Sequence, residues 1–247
     1  MLSFSSFDHG WLSAFFINII LISIAQRFPL LTRSGWVHAG ALGTILWGCL
    51  GWRGWLAVVI YLLLGSLVTK LGFETKLQAG IAEPRGGCRG PENLWGSAAA
   101  GAVLAILVGA KLGSEPLLLV GFASSFSAKL ADTFGSEIGK RWGSRTYLIT
   151  SLRTVPAGTD GGISVEGTFA SAFGSLLMTV VLVALFHSEI GSFAGLVFFA
   201  GLVATLFESF LGALVQQRIS WLTNEVVNGL QTSFAALMAM AIASRLV

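Results

Sequence analysis

The stretch 117–140, LLLVGFASSFSAKLADTFGSEIGK, begins as a membrane-spanning segment and ends as something else. Leu117 to Phe126 is mostly apolar, but Lys129, Asp132, Thr133, Ser136, Glu137 and Lys140 follow directly behind it. An ionisable group at membrane depth costs on the order of 2.5–3.5 kcal/mol on insertion scales unless paired or wet, so its default reading is functional. Lys129, Thr133, Ser136 and Lys140 recur at i, i+4, i+7 and i+11, with Asp132 and Glu137 interleaved, which puts all of them near one helical face. A Lys129–Asp132 pair could neutralise itself within a bundle, but so many polar side chains on one face exceed what that requires. Roughly 18 Å of helix separates Leu117 from Lys129, so the charged turns lie towards the cytoplasmic half.

The remainder of the chain sets this segment in a membrane. Of 247 residues 54% are hydrophobic and 11% charged, with a mean hydropathy of +0.79, which excludes an ordinary soluble domain. A spanning helix needs roughly 20 mostly apolar residues. Apolar blocks at 11–26, 36–51, 54–69, 93–110, 116–138, 167–187, 192–214 and 225–244 predict an all-α, polytopic transmembrane helix bundle of eight spans, with seven as the alternative. The fifth is the least regular. Positive charge tests the count, because short cytoplasmic loops carry the excess of Lys and Arg. Arg27, Arg33, Lys70, Lys76, Arg85, Arg89, Lys140, Arg141, Arg145, Arg153 and Arg218 fall on one side, against Arg53, Lys111 and Arg245 on the other. The polar loops are thus expected on the cytoplasmic side and both termini outside, in a single integral membrane domain over 1–247. The first span reads as a retained helix, since no transit character or convincing cleavage site accompanies it. The net charge of +3 reflects topology and implies no nucleic-acid partner.

Two cytoplasmic connections, about 70–92 and 140–166, gather the polar residues, so the protein works at that face on something water-soluble. In the second, Val155-Pro156-Ala157-Gly158-Thr159-Asp160-Gly161-Gly162-Ile163-Ser164-Val165-Glu166-Gly167-Thr168 precedes the sixth span. Its glycines let backbone N–H groups approach a phosphate. Asp160 and Glu166 are hard oxygen ligands suited to Mg²⁺. The Gly-Lys-Ser/Thr ending of a P-loop is missing, and a flexible turn capped by Thr159 and Ser164 explains the loop alone equally well. In the first connection, Arg85 and Arg89 flank a Gly-Gly turn, with Asn93 opening the fourth span. Such arginines clamp phosphates bidentately, or else mark a solvated positive loop. Asn224, Glu225, Asn228, Gln231 and Thr232 form a polar stripe in the eighth span, and Glu208 with Ser209 interrupts the seventh; helix-to-helix hydrogen bonding explains these as well as substrate contact does. Cys49 and Cys88 have no metal or disulfide spacing. His38, a single histidine near the second span, supports no histidine-based nucleophile or zinc site.

Taken together, Lys70-Leu71-Gly72-Phe73, Gly80-Ile81-Ala82-Glu83 leading into Arg85-Gly86-Gly87 and Arg89-Gly90-Pro91-Glu92-Asn93, Lys129-Leu130-Ala131-Asp132-Thr133 with Ser136-Glu137-Ile138-Gly139, and Pro156 to Thr168 form a specific set. On these motifs the chain resembles, from about His38 to its C-terminus, the integral membrane phytyl-phosphate kinases of tocopherol and phylloquinone synthesis and their membrane relatives. The resemblance implies phosphoryl transfer from a nucleoside triphosphate, CTP by similarity to the membrane polyprenol kinases, to phytyl phosphate. It implies Mg²⁺ as cofactor, with Asp132, Glu137 and Asp160 as ligands and Glu166 next. Lys129, Lys140, Arg85 and Arg89 would neutralise phosphates, Gly158, Gly161 and Gly162 would supply backbone donors, and Asn93 and Thr159 would contact substrate. Lys129, Asp132 and Asp160 are the expected catalytic residues. The partners implied are the bilayer, a prenyl phosphate and a nucleotide; the oligomeric state is open, a homo-oligomer included. A bacterial plasma or thylakoid membrane is the expected location. An ion-coupled transporter would also carry intramembrane Lys, Asp and Glu, and another prenyl kinase or a cytidylyltransferase would share much of the chemistry.

Overall fold

The architecture comes from a computed structural model, which describes residues 4–246. Helix α1 (Phe4–Ala25) is followed by α2 (Arg33–Lys70), short α3 (Phe73–Gln78), a 3₁₀ turn at Arg85–Gly87, α4 (Pro91–Gly109) and α5 (Glu115–Trp142). A small sheet of β1 (Thr146–Leu148), β2 (Thr154–Val155) and β3 (Gly162–Ile163) leads to α6 (Val165–Leu185), short α7 (His187–Ile190), α8 (Ala194–Leu214) and α9 (Asn224–Ala243). Among the described residues, 6 helical segments are long and apolar enough to cross a membrane, and Gly10–Ala25 is a shorter apolar run.

The first of those long segments is two spans rather than one. At Gly51 the backbone takes φ 67° and ψ −165°, a left-handed conformation that a Cβ would resist. A straight α2 would hold Gly35 and Gly65 about 45 Å apart, yet a methyl on either would touch Arg89, at its O (2.7 Å) and its Nη2 (2.6 Å) respectively. The rings of Trp47 and Trp55, four residues either side of Gly51, also stand only 5.4 Å apart. The chain therefore doubles back, and its arms, 33–50 and 52–70, match the predicted second and third spans. Each arm is about 27–28 Å long, near the roughly 30 Å of hydrocarbon. With α1 the eight expected crossings are all helical.

Helix α5 is continuous and sits at the centre, packed against α2, α4, α6, α8 and α9. Its residues Leu118 to Ala131 are all buried, which explains its irregular hydropathy: a helix surrounded by protein rather than lipid can carry Ser and charge. Small residues lock it to α6. Methyl groups at Gly167 and Gly174 would stand 2.8 Å from the carbonyls of Gly135 and Leu130, so the backbones meet directly, as small-residue patterns allow.

The connection after α5 is more ordered than the expected loop. Its strands pair antiparallel in the order β2-β1-β3, with Tyr147 opposite both Thr154 and Ile163. Two turns carry the chain across, closed by Thr159 N–H to Pro156 O (3.3 Å) and Gly162 N–H to Thr159 O (2.8 Å). Gly158 (φ 84°) and Gly161 (φ 73°) occupy the positive-φ third positions, as a type II turn requires. Ser164 then caps α6 by accepting from Gly167 N–H at 3.0 Å.

Candidate functional site

A cavity of about 470 Å³ opens at the end of the bundle where the two polar connections meet. The last four turns of α5 supply Lys129, Asp132, Thr133, Ser136, Glu137 and Lys140, so the face inferred from spacing is a cavity wall. The first connection contributes Glu83, Arg85 and Arg89, with Asn93 from the first turn of α4. Gly158, Thr159, Asp160, Gly161 and Gly162 close the opposite side. Asp132 and Asp160, separated in sequence by β1 and β2, thus face one space.

Ion pairs fix much of this wall. Lys129 Nζ lies 2.5 Å from Asp132 Oδ2 and donates to Asn228 Oδ1 of α9 at 2.9 Å. Lys76 of α3 and Glu137 form a fully buried pair, and Lys76 also donates to Thr69 O at 2.8 Å. Lys140 reaches Glu83 at 3.0 Å and Glu137 at 3.9 Å, giving a row of alternating charge from α3 across α5 to the first connection. Burial raises the Glu83 carboxyl, but the Lys140 ammonium beside it outweighs that and holds the group below the usual carboxylate range. Arg89 is anchored at both ends. Its N–H donates to Leu30 O and its O accepts from Thr32 N–H, each at 3.0 Å, while Nη1 donates to Tyr61 OH at 2.8 Å with the guanidinium over the ring.

Several expected roles change on this geometry. Glu137 is paired with Lys76 and so holds α3 against α5, while also lining the cavity. Asn93 is spent locally: Oδ1 accepts from Gly90 N–H (3.1 Å) and Arg85 Nη2 (2.7 Å), and Nδ2 donates to Glu225 (2.9 Å). It lines the cavity while serving as a cap and a tie between α4 and α9. Arg85 is also engaged with Glu92 at 2.5 Å. Gly162 N–H is consumed by its turn, as is the Thr159 hydroxyl, which donates to Pro156 O at 2.7 Å. Gly161 is needed for contact instead: a methyl there would sit 2.6 Å from Ser209 O of α8. Glu166 does not line the cavity, because the first turn of α6 turns it towards Ser144 N–H, from which it accepts at 3.1 Å.

Other residues take their place. Glu208 of α8 lines the cavity within electrostatic reach of Asp132, Lys129 and Asp160. Asn224 and Asn228 of α9 line it too, whereas Gln231 and Thr232 are fully buried between helices. The polar stripe of α9 therefore divides between the two readings open to it.

Among the described residues, no three His, Cys, Asp or Glu side chains are grouped to hold a metal ion. The four carboxylates expected as ligands do not form a cage. The donor chemistry of Asp132, Asp160 and Glu208 nevertheless suits Mg²⁺ arriving on a nucleotide, since that ion commonly takes one or two carboxylates and keeps water and phosphate elsewhere. Charge points the same way. Arg85, Arg89, Lys129 and Lys140 face Glu83, Asp132, Glu137, Asp160 and Glu208 in the lining, so ionised side chains leave the cavity no surplus of positive charge.

A family model described as integral membrane protein DUF92 matches residues 16–236, starting earlier than the motifs that begin near His38. An uncharacterised membrane protein of Synechocystis sp., sll0875, is 46% identical over 239 residues, covering 94% of this chain and 91% of its own. Protein VTE6, chloroplastic, of Arabidopsis thaliana is 36% identical over 245 residues, covering 93% and 71%. An uncharacterised membrane protein of Methanocaldococcus jannaschii, MJ0933, is 28% identical over 231 residues, covering 92% and 93%. No solved structure matches the chain.

Proposed function

The chain belongs to the DUF92 family of integral membrane proteins, and on that premise we propose that it phosphorylates a prenyl monophosphate held in the bilayer. The donor is a nucleoside triphosphate, CTP by the resemblance of its motifs, and the acceptor is phytyl phosphate, giving phytyl diphosphate. The observation that carries this reading is the convergence of Asp132, Asp160, Lys129, Lys140 and Arg89 on one cavity at the polar end of a membrane bundle.

An acceptor oxygen of the prenyl phosphate forms the new bond to the γ-phosphorus. The bond from that phosphorus to the β–γ bridging oxygen breaks, and the nucleoside diphosphate leaves with the electron pair. A phosphate monoester is largely dianionic at pH 7, its second pKa being about 6, so no strong base is required. The barrier lies in bringing two anions into line, and positioning with charge neutralisation is most of phosphoryl-transfer catalysis. Arg89, with its backbone pinned and its side chain on Tyr61, suits the acceptor phosphate. Lys129 and Lys140, held by Asp132 and Glu83, suit the transferred group. Mg²⁺, when bound with the nucleotide, would screen its phosphates. The basic residues gathered at the cavity end support a cytoplasmic orientation by the positive-inside rule, in a bacterial plasma or thylakoid membrane.

Protein reconstituted in nanodiscs with labelled CTP, Mg²⁺ and either phytol or phytyl phosphate tests the proposal. Diphosphate formed only from the monophosphate is expected. Phosphorylation of the alcohol would move the assignment to a neighbouring kinase, and transfer of the cytidylyl group would identify a different reaction. Absence of nucleotide turnover would favour transport.

A further inference from the structure

A second cavity of about 370 Å³ lies between α1 and the two arms of α2, within the size range of small-molecule sites. Its wall is apolar, with Leu42, Trp55, Val58, Val59 and Leu62 among its residues. Asn18 also reaches it, but its amide is satisfied, donating to Ala14 O at 2.8 Å and accepting from Trp55 Nε1 at 2.9 Å. An apolar occupant would therefore strand no polar group of Asn18. Ile24, Phe28 and Leu63 on the rim are more than half exposed on the outside of the bundle, where lipid chains run.

Arg89 and Ser97 line both cavities. An apolar chamber open to the bilayer and a charged chamber open to water thus share one wall at Arg89, whose backbone is bonded to Leu30 and Thr32. At the same end of α2, Trp36 Nε1 is buried without a protein acceptor in the wall of the apolar cavity. A donor so placed fits a ligand whose oxygen lies where its hydrocarbon begins. We infer that the apolar cavity holds the isoprenoid chain of the prenyl monophosphate, with Arg89 at the join between chain and headgroup. The inference rests on the kinase reading for the identity of the headgroup and adds how the lipid is selected: the depth of the chamber between α1 and α2 measures the chain.

Prenyl monophosphates of about 10, 15 and 20 carbons, assayed on the nanodisc protein and on Val59→Trp and Ala39→Leu, test the measuring role. Filling the chamber should reduce kcat/KM for the longest substrate at least tenfold more than for the shortest. Equal losses across the series, or none, would overturn the inference. A 20-carbon monophosphate bearing a diazirine at its chain end gives a reading independent of turnover. Crosslinks are expected on residues 18–30 and 55–63, and competition by unlabelled prenyl phosphate should remove them. Labelling confined to the outer faces of α6 and α8, or equal labelling by a phosphatidylcholine with the same terminal diazirine, would refute chain selection here. Should no prenyl phosphate be turned over, the kinase reading falls, while the photolabel still decides what the cavity holds.

Discussion

Asp132 leaves the polar face of α5 and Asp160 sits within a turn, yet both open on the same cavity. Replacing either by Asn keeps the shape and removes the charge. Each variant is expected to fold, judged by a monodisperse gel-filtration peak, and to lose transfer by about 100-fold or more, the scale of removing one preorganised electrostatic group; near-normal turnover in both would refute the assignment. Lys76 and Glu137 belong to stability. Breaking a buried pair from one side costs about 3–5 kcal/mol, whereas an apolar replacement of both is often neutral. Thermal unfolding in detergent should therefore rank Lys76→Met below the double variant Lys76→Met/Glu137→Leu; the reverse order would remove the structural role of the pair. Asp132 was legible because charge at helical spacing is conspicuous within an apolar segment. Glu208 was not, since one carboxylate in a span reads equally as a helix-to-helix bond until its neighbours are known. The other bonds of Asn93 and Glu166, to Gly90 N–H and Ser144 N–H, were not legible, because sequence proximity to a site does not reveal a competing backbone partner.

At the level of elements, α8 and the turn 158–162 are joined through absent side chains. A methyl at Gly161 would meet Ser209 O and Ala213 N at 2.6 Å, and φ there is 73°. Gly161→Ala should destabilise by about 1–3 kcal/mol through backbone strain and contact, loosening the loop that carries Asp160. Faster proteolysis within 143–164 and a lower unfolding temperature are the expected readouts. Gly195→Ala, where a methyl would meet nothing within 4 Å, is the control and should change neither. The glycines of this loop were visible in the sequence, and glycine has two uses, exposing N–H groups or admitting close neighbours. Only the fold distinguishes them: for Gly161 the neighbour is α8, and for Gly162 the N–H closes its own turn. The return at Gly51 was anticipated for a different cause, since each arm alone is long and apolar enough to count as a span.

For the whole molecule, hydropathy was sufficient to place the helices of a polytopic bundle, because each span must satisfy its own backbone and match the bilayer. Which helix is central was less accessible, as it depends on packing among small residues. Orientation yields a direct test. Ser114, exposed at the end of α5 away from the cavity, and Cys88, which lines it, should lie on opposite sides of the membrane. In sealed, right-side-out vesicles an impermeant maleimide should label Ser114→Cys in a cysteine-free background at once, and Cys88 only after permeabilisation; the opposite pattern would invert the topology. The enclosure of α5 also bears on biogenesis. The helix carrying Lys129, Asp132, Glu137, Lys140 and Arg141 is a poor passenger by itself, since three partners of those charges belong to other segments: Lys76 and Glu83 earlier in the chain, Asn228 nearly a hundred residues later. The surroundings of Lys129 are therefore complete only when α9 is in place, so a lesion in α9 that removes Asn228 should be felt in α5.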